Sequence, residues 1–244
     1  CEAKLLPGAL VRNRDLHFVC ENTHVRVENF ETPFTNHALT GTIWNLPIAH
    51  GDGCYFADHD TLKELNAHRQ VVLRYCDSDG NASEAANPNG SCQNIAGICN
   101  RQHNVFGLMP HPERASDPSL NGIDGKQIFL SMLDKLMGYC EIHHYYEQGI
   151  DYGVSILRYD RAQEQTHCRL MRLHYLRGDR SAAVAAFERF EHEVCREYGL
   201  VPSAETLELL HAIERGSVPR APGRGPLPAV LLRPPVLVGR DAAW

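Results

Sequence analysis

A cysteine, a histidine and a glutamate share the stretch GICNRQHNVFGLMPHPER, Gly97 to Arg114. They are Cys99, His111 and Glu113, the residue types of a cysteine-based hydrolase. In that chemistry a thiolate attacks a carbonyl carbon, an imidazole moves the proton and a carboxylate orients the imidazole. His111-Pro112-Glu113 follows the apolar run Val105–Met109, so a strand is expected to open into this segment. Pro110 and Pro112 fix φ on either side of His111 and limit its drift. Glu113 is placed to orient the ring and favour the tautomer of a general base. By itself H-P-E also fits an ordinary surface loop.

The elements that must hold these residues change character along the chain. Residues 1–140 read as β-rich with turns. LHFVCENTHVRVEN alternates, with Leu16, Phe18 and Cys20 in phase and then Val25 and Val27 against His24, Arg26 and Glu28. GTIWNLPIAHG reads as a strand ending in glycine, and QVVLRYCDSDGN as a β-branched run stopped by Asp-Gly chemistry. TLKELNAH reads as a short helix and NPNGSCQN as a loop. IAGIC, the turn NRQHN and VFGLMPHP spell a hairpin. DGKQIFLSMLDKLMG, with Ile128, Leu130, Met132, Leu133 and Leu136 at helical spacing, closes the segment.

From about residue 141 the pattern is helical. YYEQGIDYGVSILRYD is expected to set Tyr146, Ile150, Val154 and Leu157 on one face, after a His143-His144 pair in the same Tyr-rich helical stretch. AQEQTHCRLMRLHYLRG points Leu170, Leu173 and Leu176 inward, and Gly178-Asp179 makes the turn. SAAVAAFERFEHEVCREYG ends at Gly199, and Ser203 caps a helix that runs to Arg215 and stops at Gly216. Residues 217–235 are rich in Pro, Gly and Arg and read as a linker. The first 140 residues carry 16 acids and 11 bases and the remainder 14 and 13. A domain boundary is therefore expected near Gly138–Glu141, giving 1–139, 140–216 and 217–244.

Bulk composition excludes some classes. A net charge of −6 over 244 residues offers no basic surface for nucleic acid or membrane. No apolar run approaches the roughly 18 residues of a membrane span. The nine cysteines are odd in number and form no C-x-x-C, which favours reduced thiols in the cytoplasm. The 14 histidines are scattered without ligand spacing, so neither a metal nor another cofactor is expected. Asn81-Ala-Ser83 and Asn89-Gly-Ser91 match the glycosylation sequon but read as turn residues. The chain opens on Cys1, as expected of one that begins inside a longer reading frame.

IAGICN with NVFGLMPHPER resembles the C-terminal part of the glutaminase subunits of phosphoribosylformylglycinamidine synthase, a group of class I glutamine amidotransferases. EAKLLPGALVRN (2–13), VENFETPFT (27–35), PIAHGDGCYFAD (47–58), RYCDSDG and ANPNGS (74–91) extend the resemblance over about residues 1–137. It implies an N-terminally truncated α/β domain of flavodoxin-like type, glutamine as substrate and a synthetase subunit as partner in purine biosynthesis. His111 and Glu113 fall on the family's catalytic His and Glu, and His50 in AHGDG falls in a segment that neighbours the site. The family's nucleophile stands on a strand–turn–helix elbow, G-x-C-x-G. Cys99 has Gly97 before it but Arg101 where the second glycine belongs, and another strand follows. Cys99 is therefore expected to be a packed hairpin residue. The family's elbow lies just upstream of its EAGLLPGA stretch, here EAKLLPGA with Lys4 in place of a usual glycine. The chain as it stands is thus expected to lack glutaminase activity.

The stretch RYDRAQEQTHCRLMRLHYLRGDRSAAVAAFERFEHEVCREYGLVPSAETLELLHAIERG resembles the bacterial transcriptional activator domain, a tetratricopeptide-like all-α unit. That implies a protein partner for residues 141–216 and no direct binding of nucleic acid. PPVLVGRDAAW resembles the first residues of an ATPase segment. Three readings follow: an ammonia-supplying glutaminase part, a regulator fragment working through its helices, or a fusion or assembly artefact of the two.

Overall fold

The structure, a computed structural model, describes residues 4–39, 41–120, 122–199 and 201–218. Cys1, the expected linker beyond Val218 and the ATPase-like end lie outside them. The described residues fall into two compact units, one up to Ile128 and one from Phe129. The division lies inside a helix, some ten residues before the boundary that composition suggests. Compactness follows packing, and Leu130 and Met137 already pack with the helical residues that come after them.

The first unit holds β1 (Ala9–Val11), β2 (Val19–Val27), β3 (Ile43–His50), β4 (Cys54–Phe56), α1 (His59–Ala67), β5 (Val71–Cys76), β6 (Ile95–Cys99), β7 (Phe106–Leu108) and the first turn of α2 (Lys126–Ile142). Five strands form one sheet in the order β3-β2-β5-β6-β7, and β1 pairs with β4 in a separate ribbon. β2 and β3 align core residues across the ladder, Thr23 with Leu46 and Val25 with Trp44. β5, at the centre, is apolar at both phases of its alternation, as a strand covered on both faces must be. Asp58 caps α1 by accepting the Thr61 N–H.

The first unit is mixed α/β, as expected of a glutamine amidotransferase domain, and its five-stranded sheet has a pattern of its own. Every ladder of the five is antiparallel. A parallel pair needs a crossover of a dozen or more residues; β6 and β7 are joined by residues 100–105 alone, closed by the Asn100 side chain accepting from the N–H groups of Asn104 and Val105. The leading half of the alternating stretch differs from the expectation. Leu16 and Phe18 are exposed, and β2 starts only at Val19, because Leu16 takes a left-handed φ of +58°. Lys4, where the resembled family usually has glycine, has φ +55°. That conformation costs an L-residue about 1–2 kcal/mol.

In the second unit α2 runs on to Ile142, through Gly138, and buries Met137 and Cys140. His143-His144 form the turn that ends it, with His144 at φ +64°, instead of continuing the helix. Then come α3 (Tyr146–Leu157), α4 (Glu164–Leu176), α5 (Arg180–Phe190), a π turn (Glu191–Cys195), α6 (Arg196–Tyr198) and α7 (Ala204–Arg215). α3 turns Gly149, Ile150, Gly153 and Ile156 inward and leaves Val154 exposed. The glycines let neighbours close in where the expected face had Val154. α4 serves two cores through adjacent residues: Leu170 packs with Met137, Ile150 and Ile156, while Met171 packs with Ala183, Phe187, Phe190 and Ile213. Arg169 and Arg172, one turn apart, tie α4 to Asp134 (2.6 Å) and Glu141 (2.9 Å) of α2. Asp179 and Ser203 cap α5 and α7, and Gly216 closes α7 in the left-handed conformation.

Each unit buries a histidine, His50 in the first and His167 in the second. His167 donates its Nε2–H to the Arg161 carbonyl at 2.9 Å and lies 4.8 Å from the Phe190 ring. Burial lowers the pKa of both below the ordinary 6.5. Below 6.5 the unfolded chain therefore takes up protons that the folded chain refuses. This stability contribution is complete above pH 6.5 and is lost as the pH falls towards the lowered values. Urea midpoints are expected to decline on acidification from pH about 7 to about 5, and His167→Phe is expected to flatten that decline.

Candidate functional site

β3 is an edge strand, so alternate backbone groups point out of the sheet. At Pro47 the outward group is the carbonyl, and it accepts the His111 N–H at 2.7 Å. At Asn45 it is the N–H, donated to the Asp124 carboxylate at 2.8 Å. Proline is tolerated at 47 because an edge strand has no neighbour awaiting its missing N–H. Pro112 then starts a short 3-10 turn, Pro112–Ala115, whose last carbonyl accepts the Gly125 N–H at 2.8 Å. The loop bearing His111 is thus fastened at both ends.

Within the loop His111 Nδ1 lies 2.8 Å from Glu113 Oε1. A carboxylate can only accept, so Nδ1 carries the hydrogen and Nε2 is the atom left to exchange a proton. Arg114 Nε lies 3.7 Å from the same carboxylate oxygen. The His111 side chain is 31% exposed, wet enough to meet a substrate. Gly125 controls this geometry: a Cβ there would stand 2.2 Å from the Pro112 carbonyl oxygen. Gly125→Ala is expected to cost about 1–3 kcal/mol and to break the His111–Glu113 bond. Thermal melting and the His111 ring resonances would read the two effects separately.

Cys99 ends β6 fully buried. Its N–H donates to the Gln70 carbonyl at 2.8 Å, and its own carbonyl accepts from Gln70 Nε2 at 2.8 Å. Burial pushes its thiol up to about 11. A buried, protonated sulfur is a poor nucleophile. In the native chain iodoacetamide is expected to label the exposed Cys20 and to spare Cys99 until urea unfolds the sheet; peptide mass spectrometry reads both.

His50 continues the core-facing phase of β3 after Trp44, Leu46 and Ile48, and is 7% exposed. Around it lies a polar network that sequence reading did not find. Asn13 donates to the His17 and His50 carbonyls at 2.8 and 2.9 Å, and its Oδ1 accepts the Gly53 N–H and faces His50 Nδ1, both at 3.1 Å. Asn89 Nδ2 donates to the Gly53 carbonyl at 2.8 Å and the Tyr75 hydroxyl at 3.2 Å, with His50 Nε2 at 3.4 Å. Asn89 Oδ1 accepts from Ser91 N–H and Oγ–H. Asn87 and Asn94 continue the network towards Ser83. The usable signal was the density of asparagine in NPNGSCQN, more than a loop needs for turning. Asn89 is 1% exposed, so its sequon is closed to modification.

Among the described residues no three His, Cys, Asp or Glu side chains cluster as a metal site, and no helix is long and apolar enough to cross a membrane. A family model for the CobB/CobQ-like glutamine amidotransferase domain matches residues 3–129, more than half of the chain. The chain belongs to this glutamine amidotransferase family. The amidotransferase stretch is 57% identical over 136 residues to phosphoribosylformylglycinamidine synthase subunit PurQ of Acaryochloris marina, covering 56% of this chain and 58% of that one. It is 57% identical over 138 residues to the PurQ subunit of Thermosynechococcus vestitus, covering 54% and 57%. The solved structure of PurLQS from Thermotoga maritima matches at 43% identity over 55% of this chain and 56% of that one, with a TM-score of 0.47. The chain thus spans under two thirds of the length of these curated relatives.

Proposed function

We propose that residues 3–129 supply the His–Glu half of a glutaminase site that releases ammonia from glutamine for a synthetase partner, as in phosphoribosylformylglycinamidine synthase of purine biosynthesis. The observation that carries this reading is the 2.8 Å bond from His111 Nδ1 to Glu113 in a loop fastened at both ends. In the reaction a thiolate adds to the carboxamide carbon, and the tetrahedral adduct expels ammonia with a proton delivered from His111 Nε2. His111 then takes a proton from the water that hydrolyses the thioester. Glu113 holds the ring and offsets the charge of its protonated form. No cofactor enters these steps.

The thiol must come from a G-x-C-x-G elbow, a motif that the 244 residues do not contain. The chain alone is therefore expected to release no ammonia from glutamine. The test is a chimera in which residues 3–129 replace the matching stretch of the Acaryochloris marina subunit. It is expected to release ammonia in the presence of its synthetase partners. A folded chimera with no glutamine-dependent ammonia would sink the proposal.

For residues 140–216 we propose a protein-interaction unit of the tetratricopeptide-like, transcriptional activator type. It is supported by α4 and α5, joined through Gly178, with Ala183 and Phe187 buried on the inner face. Appended to the chimera, these residues are expected to leave ammonia release unchanged. A change of about tenfold or more would tie the helices to the glutaminase instead.

A further inference from the structure

His50 is fixed by its surroundings to one tautomer. Asn13 spends both amide hydrogens on backbone carbonyls, those of His17 and His50. Its oxygen is therefore the atom that meets the ring, and His50 Nδ1 must bring the hydrogen. Asn89 is fixed in the opposite sense, because its oxygen accepts from Ser91 and its nitrogen points at the Gly53 carbonyl, Tyr75 and His50 Nε2. Nε2 therefore offers a lone pair. A second proton there would set a donor against the Asn89 donor in a buried site. The turn closing over the ring has no slack: a Cβ on Gly53 would lie 2.3 Å from Nδ1.

The same strand carries the Pro47 carbonyl that holds the His111 backbone. The two rings are also near enough for their charges to be felt: burial depresses the His50 pKa most, a backbone hydrogen bond opposes this, and His111 depresses it further. Other titratable groups near His50 include the Tyr75 hydroxyl, reached through Asn89, Cys54 beside Gly53, with a thiol that burial keeps protonated, and Asp52 in the adjacent turn, which lies 3.7 Å from Arg12. Tyr75 is kept protonated by burial.

We infer that His50 is a positioning residue for the proposed reaction, locked as the neutral Nδ1–H imidazole. It holds the end of β3 and its turn beside the His111 loop while adding no positive charge there. His111, bonded to Glu113, is then the one histidine of the pair that takes up the proton. This rests on the reading of His111 as the base, but its central observable does not need activity.

The experiment is nitrogen-15 NMR of the imidazoles in the full 244-residue chain, titrated over pH about 5–8. His50 is expected to show one protonated and one bare nitrogen throughout. A titrating His50, or one protonated at Nε2, would overturn the inference. Two variants probe the coupling. His50→Asn keeps a donor towards Asn13 and is expected to leave the His111 backbone amide resonance in place; His50→Leu, confirmed as folded by circular dichroism, is expected to shift it. If the leucine variant is folded and the His111 amide resonance stays where it is in the parent chain, His50 is packing only and the positioning role falls. If it does not fold, the wild-type titration of His50 still decides the tautomer, and the decision on positioning passes to Asn89→Ala, expected to let His50 titrate and to move the His111 amide resonance with it. An inactive chimera with the expected NMR behaviour would remove the glutaminase reading and leave the locked tautomer standing. An active chimera whose His50 titrates would do the reverse.

Discussion

In the chimera carrying residues 3–129, His111→Ala is expected to lower kcat/KM for glutamine by about 10²–10⁴-fold. The loss should fall on kcat, because Nε2 is proposed to act on the proton in flight and not on bound glutamine. Stability should barely change. The His111 anchor to β3 is a backbone N–H, which alanine retains, and the side chain is partly exposed; such substitutions usually stay within about 0.5 kcal/mol. The fall in rate is therefore readable without a folding correction. Glu113→Gln should produce a smaller fall of the same kind, since the amide can still accept from Nδ1 but no longer offsets the charge on the ring. Full activity in the alanine variant would mean that another group moves the proton.

Asn89→Leu is expected to destabilise the first unit by about 3–5 kcal/mol. Leucine fills similar space but leaves the Gly53 carbonyl and the Ser91 hydroxyl without their Asn89 partner, while the Ser91 N–H keeps Asn87 Oδ1 as acceptor, and it withdraws a donor from Tyr75 and His50. Each buried polar group stranded in this way costs about 1–3 kcal/mol, softened by relaxation of the loop. Urea unfolding should show a lower midpoint at unchanged slope, the mark of lost stability and not of a changed unfolded state. Asn89→Asp separates the two halves of the role, because it keeps the acceptor for Ser91 and loses the donors. It should cost less than leucine if Ser91 matters more, and as much if Gly53, Tyr75 and His50 do.

What could be read from the chain ahead of its structure depended on how local the determining force was. The caps at Ser203 and Gly216, the turn at Gly178 and the hairpin between β6 and β7 are set by neighbours a few residues apart, and each stands where its residues say. The contact between His111 and Glu113 was legible for the same reason, the two being two residues apart on a stiffened loop. Leu16 and Phe18 misled because alternation gives the phase of a strand but not where it starts. Val154 misled because α3 buries glycines, which carry no hydrophobic signal. The division at Ile128 was hidden because composition follows spelling and compactness follows contacts distant in sequence. Asn13, His50 and Asn89 were illegible as a group. They meet from positions 37 and 39 residues apart, and nothing in their spacing records the meeting.

The placement of the His111 loop along β3 has a consequence for solubility. An edge strand with unpaired N–H and C=O groups is a template on which another chain can add a strand. Here the groups at Asn45 and Pro47 are taken by Asp124 and His111, and proline removes one donor outright. The segment proposed to move protons is therefore also the guard of the sheet margin. Changes that loosen it would be selected against twice, once for lost chemistry and once for self-association, so the retention of this loop in a chain does not by itself show that the chain is catalytic.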